Sequence, residues 1–157
     1  MSDNPQLMRE AIRLSVEMMR QGKGGPFGAL IVREGEIIGR GWNQVTSTND
    51  PTAHAEIVAI RDACRNTGSF LLEGCDLYTS CEPCPMCLSA AYWARIRHIY
   101  YGACRTDAAQ AGFIDELLYE ELARHAKSRK LPCSELLRDE ALEAFREWKA
   151  KPDKVPY

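Results

Sequence analysis

At 157 residues the chain is long enough for one domain with a substantial core, a size that buries about 70% of its unfolded surface. Hydrophobic residues make up 45% and charged residues 27%, an ordinary balance for a soluble globular protein. The formal net charge of −2 and the pI near 5.9 argue against a broad electrostatic grip on nucleic acid, which needs a basic face, and leave room only for a local basic groove.

The opening stretch from Met1 to Gln6 is polar and shows no secretory signal pattern, and no apolar run approaches the roughly 20 residues that span a bilayer. The expected compartment is the cytoplasm, with no membrane partner. Leu7, Met8, Ala11, Ile12, Ser15, Val16, Met18 and Met19 recur at helical spacing, Pro5 suits an early helical position, and Gly22 ends the pattern. The Gly-rich segment from Gly22 to Pro26 leads into a strand pattern, Phe27 to Val32, rather than a helix, so it makes a weak phosphate loop. A turn at Glu34-Gly35 and a second strand from Glu36 to Asn43 complete a hairpin.

A polar loop, Gln44 to Pro51, precedes a predicted helix over residues 53–67. A short strand at Leu77-Tyr78-Thr79, a helix from Cys84 to Ala94 whose start is set by Pro83 and Pro85, and a strand from His98 to Ala103 follow. This order predicts an α/β fold, a three-layer αβα domain with a largely buried central sheet. Thr106 to Ala111 reads as a loop or short helix, Asp115 to Arg129 as helical, Leu131 to Leu137 as an edge strand restricted by Pro132, and Glu140 to Lys149 as a last helix before a tail with two prolines. About five strands are expected in all. No repeat, low-complexity tract or linker interrupts the chain.

Seven cysteines is an odd count, which excludes a complete disulfide framework within one chain. Cys64, Cys75, Cys104 and Cys133 stand in apolar or element-edge contexts and read as small hydrophobes. The other three fall in Thr79-Ser80-Cys81-Glu82-Pro83-Cys84-Pro85-Met86-Cys87, downstream of Pro51-Thr52-Ala53-His54-Ala55-Glu56. Zinc prefers thiolate and imidazole ligands in a tetrahedron. Cys84 and Cys87, three apart at a helix start, present both thiols on one face where the helix dipole favours ionisation. His54 supplies a third donor, leaving one position for water, whose pKa the metal lowers towards ~7. Glu56, two residues past His54, can serve that water as proton acceptor and donor if the helix start brings it round, since i and i+2 do not share a face of a straight helix.

His-x-Glu followed by Pro-Cys-x-x-Cys is a known signature of zinc nucleobase deaminases. Cys81 leaves open a closed structural zinc with His54 as fourth ligand, and less readily an iron–sulfur site, whose usual run needs a further cysteine and a following proline. A lone helical glutamate is commonly solvated, and His98 and His125 have no partner pattern and read as surface or capping residues.

These residues, together with Gly24-Gly25-Pro26-Phe27-Gly28-Ala29, Asn43, Asn49-Asp50, Tyr92-Trp93-Ala94-Arg95, Thr106-Asp107-Ala108-Ala109, Ala111-Gly112-Phe113 and Tyr157, resemble the cytidine-deaminase superfamily over nearly the whole length. Within it the match points to the bacterial guanine-deaminase family. The resemblance implies a single deaminase domain over 1–157 and a cytidine-deaminase-like fold. It implies a hydrolase of purine catabolism that converts guanine and water to xanthine and ammonia, zinc-bound hydroxide attacking C2 while Glu56 shuttles protons. It implies one Zn2+ per subunit on His54, Cys84 and Cys87. Asp115 would be a second catalytic acid, a position where a helix N-cap is the plain alternative. Asn43 would hydrogen-bond the purine, Phe27 and Trp93 would wall it, and Tyr157 would cover it. A homodimer with residues 150–157 exchanged as an arm is also implied, two prolines stiffening the arm; a frayed terminus is the plain alternative. Ile114 and the segment from Leu131 to Arg138 depart from the family pattern.

The partner expected is a free purine base rather than nucleic acid. Rival functions are a tRNA adenosine deaminase, a deaminase of cytosine or an aminotriazine, and a non-enzymatic zinc-stabilised interaction module.

Overall fold

A computed structural model describes residues 3–157; Met1 and Ser2 of the polar opening stretch lie outside them. Helix α1, Pro5–Arg20, begins where Asn4 caps it, the Asn4 Oδ1 accepting from the Gln6 backbone N–H at 3.1 Å. Strands β1 (Gly28–Arg33) and β2 (Glu36–Trp42) form the antiparallel hairpin, joined by Glu34 and Gly35 with φ of 51° and 87°. The loop after β2 contains one helical turn, α2 (Val45–Thr48). Helix α3 (Ala55–Thr67), strand β3 (Asp76–Cys81), helix α4 (Pro85–Trp93) and strand β4 (His98–Ala103) follow. The short α5 (Arg105–Gln110), then α6 (Glu116–Ala123), a 3-10 turn (Ala126–Ser128) and α7 (Arg138–Ala150) complete the chain.

Among the described residues the sheet has four strands in the order β2-β1-β3-β4. β1 is antiparallel to β2 and β3, while β3 and β4 run parallel with α4 as the crossover, so the sheet is mixed. Strand alternation sorts the two faces. Ala29, Ile31 and Leu77 point to one side, where they pack with Ala55, Ala59 and Ala63 of α3 and Ala91 of α4. Leu30, Val32 and Tyr78 point to the other and pack with Ala11 and Leu14 of α1. The result is the expected three-layer α/β fold.

The alanines of α3 and the glycines of β2 let helix and strand approach closely. A Cβ on Gly41 would lie 2.1 Å from the Ala55 carbonyl oxygen and 2.4 Å from the Ala59 nitrogen. This contact fixes the height of the α3 N-terminus above the sheet.

Two expectations are corrected. Leu131 to Leu137 forms no strand: it is irregular, Leu131 and Leu136 are exposed, and Pro132 has no N–H to give a ladder. The sheet therefore has one strand fewer than expected. Cys104 does not act as a small hydrophobe but as the residue capping α5, the Asp107 carboxylate accepting from its backbone N–H at 2.8 Å and its thiol at 2.9 Å. Cys133 is also exposed, whereas Cys75 is buried as a packing residue should be.

The chain divides into two compact units, the first ending at Leu118 and the second comprising Tyr119–Tyr157. The first contains the sheet and its helices. In the second, the Glu121 carboxylate accepts from the Lys130 backbone N–H at 2.6 Å and the Glu121 carbonyl from the Arg129 Nε at 3.1 Å. None of its residues is buried; Phe145, Trp148, Val155 and Tyr157 are exposed. No helix is long and apolar enough to cross a membrane among the described residues.

Candidate active site

His54 is the N-cap of α3, its backbone still extended at φ −67° and ψ 156°. The turn before it is ordered by Asp50, whose Oδ1 accepts from the Thr52 backbone N–H at 2.8 Å and the Thr52 hydroxyl at 2.6 Å. Cys84 is the N-cap of α4, with Pro85 at the first helical position and Cys87 one turn on. The two helix starts bring the three donors together: their ligand atoms all lie within 4.8 Å of one another. The His54 Nδ1 is 3.5 Å from each sulfur. A tetrahedral centre with Zn–S of about 2.3 Å and Zn–N of about 2.0–2.1 Å separates nitrogen and sulfur by about 3.5 Å, so the donors are spaced for zinc.

The electrostatics agree. The Cys84 thiol is pulled down to about 4, first by the hydrogen bond from the Cys87 thiol and also by the one from His54; burial opposes both. Cys87, donating to that sulfur and buried, is pushed far up. His54 is raised, chiefly by its bond to Cys84. The metal-free trio is thus held together by protons on ligand atoms, the Cys87 sulfur and the His54 Nδ1, that a bound cation would displace.

Glu56 is the second residue of α3 and only 6% exposed. Burial pushes its carboxyl up. Its Oε1 accepts from the Thr79 hydroxyl on β3 at 3.2 Å. Because His54 is a cap in extended backbone rather than a helical residue, residues two apart can both turn into the same space. That space is a cavity of ≈ 260 Å³, lined among others by Phe27, Asn43, His54, Glu56, Cys84 and Asp115.

Asn43 follows β2, and its Oδ1 accepts from the backbone N–H groups of Gly25 and Val45, both at 3.3 Å. Both lone-pair directions of that oxygen are therefore used, and the amide nitrogen is what Asn43 has to offer elsewhere. Phe27 meets Phe113 edge to face, centroids 4.8 Å apart. Asp115 immediately precedes α6 and its carboxyl is raised, first by burial and then by the Cys84 thiolate.

One of the residues expected at the substrate, Trp93, stands apart from this cavity. Trp93 ends α4, opposite the end that carries the cysteines, and is 68% exposed. Tyr157 belongs to the second unit, where it lines a cavity of ≈ 410 Å³ with Ala144, Phe145, Trp148 and Pro156. Cys81 lines the active cavity but lies outside the donor cluster. Its sulfur faces the Cys104 carbonyl at 3.9 Å, and burial pushes its thiol up to about 11, with the Glu56 and Asp115 carboxylates adding to this. Neither the closed four-ligand zinc nor an iron–sulfur site is formed among the described residues.

Sequence reasoning missed Thr79 as the partner of Glu56, and the lining roles of Cys81, Glu82 and Phe113. A hydroxyl at a core-facing position of a strand, two residues from Leu77, was the available signal for Thr79.

A mixed sheet flanked by helices, with a His, two Cys and a buried Glu meeting at two helix starts, defines a zinc-dependent deaminase fold. The chain belongs to the cytidine and deoxycytidylate deaminase zinc-binding family, whose model matches residues 1–103, a span that includes His54, Glu56, Cys84 and Cys87. It is 49% identical over 150 residues to a guanine deaminase of Bacillus subtilis, covering 96% of each chain. A crystal structure of guanine deaminase from Bacillus subtilis superposes with a TM-score of 0.96 at 47% identity over 99% of both chains. A guanine deaminase from Nitrosomonas europaea gives a TM-score of 0.68 at 26% identity, over 96% of this chain and 87% of that one. A tRNA-specific adenosine deaminase of Aquifex aeolicus is 50% identical over 78 residues only, 50% of this chain and 52% of that one.

Proposed function

We propose that this chain catalyses the hydrolytic deamination of guanine to xanthine and ammonia. The observation that carries the proposal is one small cavity lined by Glu56, Asn43, Asp115 and by His54 and Cys84, which with Cys87 make up the donor set, in a chain similar along almost its whole length to guanine deaminases. A volume of ≈ 260 Å³ is at the low end of small-molecule pockets, about 300–1,000 Å³, and suits a free base better than a nucleotide within RNA.

His54, through Nδ1, and the sulfurs of Cys84 and Cys87 would hold zinc. When bound, zinc supplies Lewis acidity that brings the pKa of a water towards ~7. Glu56 accepts one proton of the attacking water and passes it to the purine ring nitrogen beside C2, then takes the remaining proton of the added hydroxyl and delivers it to the departing amine, so that C2–O forms and becomes the carbonyl, C2–N breaks and ammonia leaves. Its raised carboxyl, nearer neutrality than a solvated glutamate, suits a group that must both take and give a proton. Asn43 donates from its amide nitrogen to an acceptor on the purine edge; guanine offers O6 and N7. Phe27, held by Phe113, lies along the base. Asp115 accepts from a ring N–H or the amine and is the second acid of the site.

The whole chain acts as a single deaminase domain, and residues 150–157 form an arm exchanged between two copies in a homodimer. Tyr157 of the partner subunit would then cover the substrate, and Trp93 would wall the base as part of the completed site. Supporting this is the second unit itself: roughly 40 residues is too few for an independent core, and its aromatic residues are exposed in a single chain.

The test is ammonia release by the zinc-loaded protein from guanine, adenine, cytosine, cytidine and tRNA, with xanthine identified as the product. Turnover of tRNA without turnover of guanine would reassign the chain.

A further inference from the structure

Thr79 sits in the middle of β3, 1% exposed, on the face that carries Leu77 and packs beneath α3. Its neighbours across the ladder are Ala29 and Tyr101. A strand position facing this core of alanine, leucine and isoleucine would be filled equally well by valine, so the hydroxyl is what the position adds. A buried hydroxyl needs a partner, and this one has the Glu56 Oε1 at 3.2 Å.

The Thr79 O–H is anchored on the sheet rather than on α3, so it orients the acid from outside its own helix. Glu56 has three side-chain torsions between its backbone and the carboxylate, and a proton shuttle must hold its oxygens within about 3 Å of two different heavy atoms in turn.

We propose that Thr79 is a positioning residue for the reaction, its hydroxyl pinning one carboxylate oxygen of Glu56 so that the other is the oxygen that exchanges protons. The proposal rests on Glu56 being the proton shuttle of the deamination described above. The hydroxyl acts through Glu56 and touches neither substrate nor metal.

The experiment compares wild type, Thr79→Val, Thr79→Ser and Glu56→Gln, and adds Thr79→Val to the Glu56→Gln background. Removing a hydrogen bond to an ionisable group lowers kcat roughly 10- to 100-fold in Thr79→Val, with KM on guanine and zinc content held within about twofold. Thr79→Ser, which keeps the O–H, restores kcat to within about threefold of wild type. In the Glu56→Gln background the valine costs no further turnover. Infrared difference spectra of protein labelled at glutamate give a readout independent of substrate: the Glu56 carboxyl band moves in Thr79→Val, stays in Thr79→Ser, and is absent from the Glu56→Gln pair.

Wild-type kcat in Thr79→Val, an unmoved carboxyl band, or an equal loss in the Glu56→Gln background would overturn the proposal. So would a valine variant whose turnover falls only in step with its zinc content. If wild type itself fails on guanine, the functional assignment falls, and the infrared comparison still decides whether Thr79 holds the acid.

Discussion

Gly41 offers the sharpest test of how the fold sets the metal site. A methyl group there would stand 2.1 Å from the Ala55 carbonyl oxygen, 2.4 Å from the Ala59 nitrogen and 3.0 Å from the Ala59 Cα, whereas ordinary contact begins near 3.4 Å. These are backbone atoms, so no rotamer change relieves the clash. In Gly41→Ala either α3 must lift from β2 by more than about 1 Å or the hairpin must bend away from it. The overpacking costs about 3 kcal/mol, which lowers Tm by roughly 6–12 °C for a chain of this length.

The functional cost is larger than that figure suggests, because the displaced end carries His54 and Glu56. Metal–ligand distances tolerate only about ±0.2 Å, and a 1 Å misplacement of a catalytic group costs roughly 100-fold in turnover. Gly41→Ala should therefore need 10- to 100-fold less chelator to lose its zinc, and should release ammonia about 100-fold more slowly even at saturating zinc. Gly68→Ala is the control. Gly68 caps the other end of α3 at φ 64°, where an added Cβ meets nothing within 4 Å. Its left-handed backbone costs about 1–2 kcal/mol with alanine but leaves the ligands where they are. Competition against a chromophoric chelator, alongside thermal unfolding, separates the two. If both variants lower Tm but bind zinc alike, β2 does not set the position of the metal site.

Glu56→Gln should keep its full zinc complement while kcat falls roughly 100- to 10,000-fold, measured by ammonia release and metal analysis on the same sample. Asn43→Asp keeps an oxygen for the Gly25 and Val45 N–H groups but replaces the donor facing the base with an acceptor, so kcat/KM for guanine should fall by roughly 100-fold with little change in Tm. Arg97→Ala leaves the buried Asp76 without its paired bonds of 3.0 and 2.7 Å, and denaturant unfolding should show a lower midpoint with zinc binding intact. A chain cut before Lys151 should bind zinc normally yet turn over poorly and sediment as a weaker dimer; full activity would remove the exchanged arm from the mechanism.

The donor set was legible in the sequence because zinc imposes residue types and spacings that few other constraints produce together. His54, Cys84 and Cys87 needed only to sit at helix starts, and proline at 85 marks one of them. What the spacing did not show was how Glu56 reaches the same space; that depends on His54 being a cap with extended backbone, a one-residue boundary that periodicity does not resolve. Thr79 and Cys81 were illegible for another reason: their roles follow from which face of β3 they occupy and from its register against β1 and β4. Trp93 shows that a motif does not say where its residues lie within one chain. A helix rising about 1.5 Å per residue puts Trp93 about 13 Å along the axis from Cys84 and about 9 Å from Cys87, so within one chain the tryptophan lies away from the cavity. The segment from Leu131 to Leu137 had a strand's apolar content without a strand's donors.

The arrangement also explains how so much negative charge is tolerated in a small cavity. The Cys84 sulfur and the carboxylates of Glu56 and Asp115 line it, and burial raises both carboxyls. Against them would stand a bound divalent cation, held by His54, Cys84 and Cys87 as thiolates, and the positive ends of two helices, α3 and α4, which pack on the same face of the sheet and both start at the site. Two thiolates neutralise the cation on paper, but the helix ends add roughly half a positive charge each, with no proton to lose and no reorganisation when charge develops on the substrate. A hairpin packed tightly under α3 and a proline at the start of α4 fix the direction of both ends. In the deamination proposed above, these fixed positive ends would stabilise the electron density that collects on the purine ring as water adds to it.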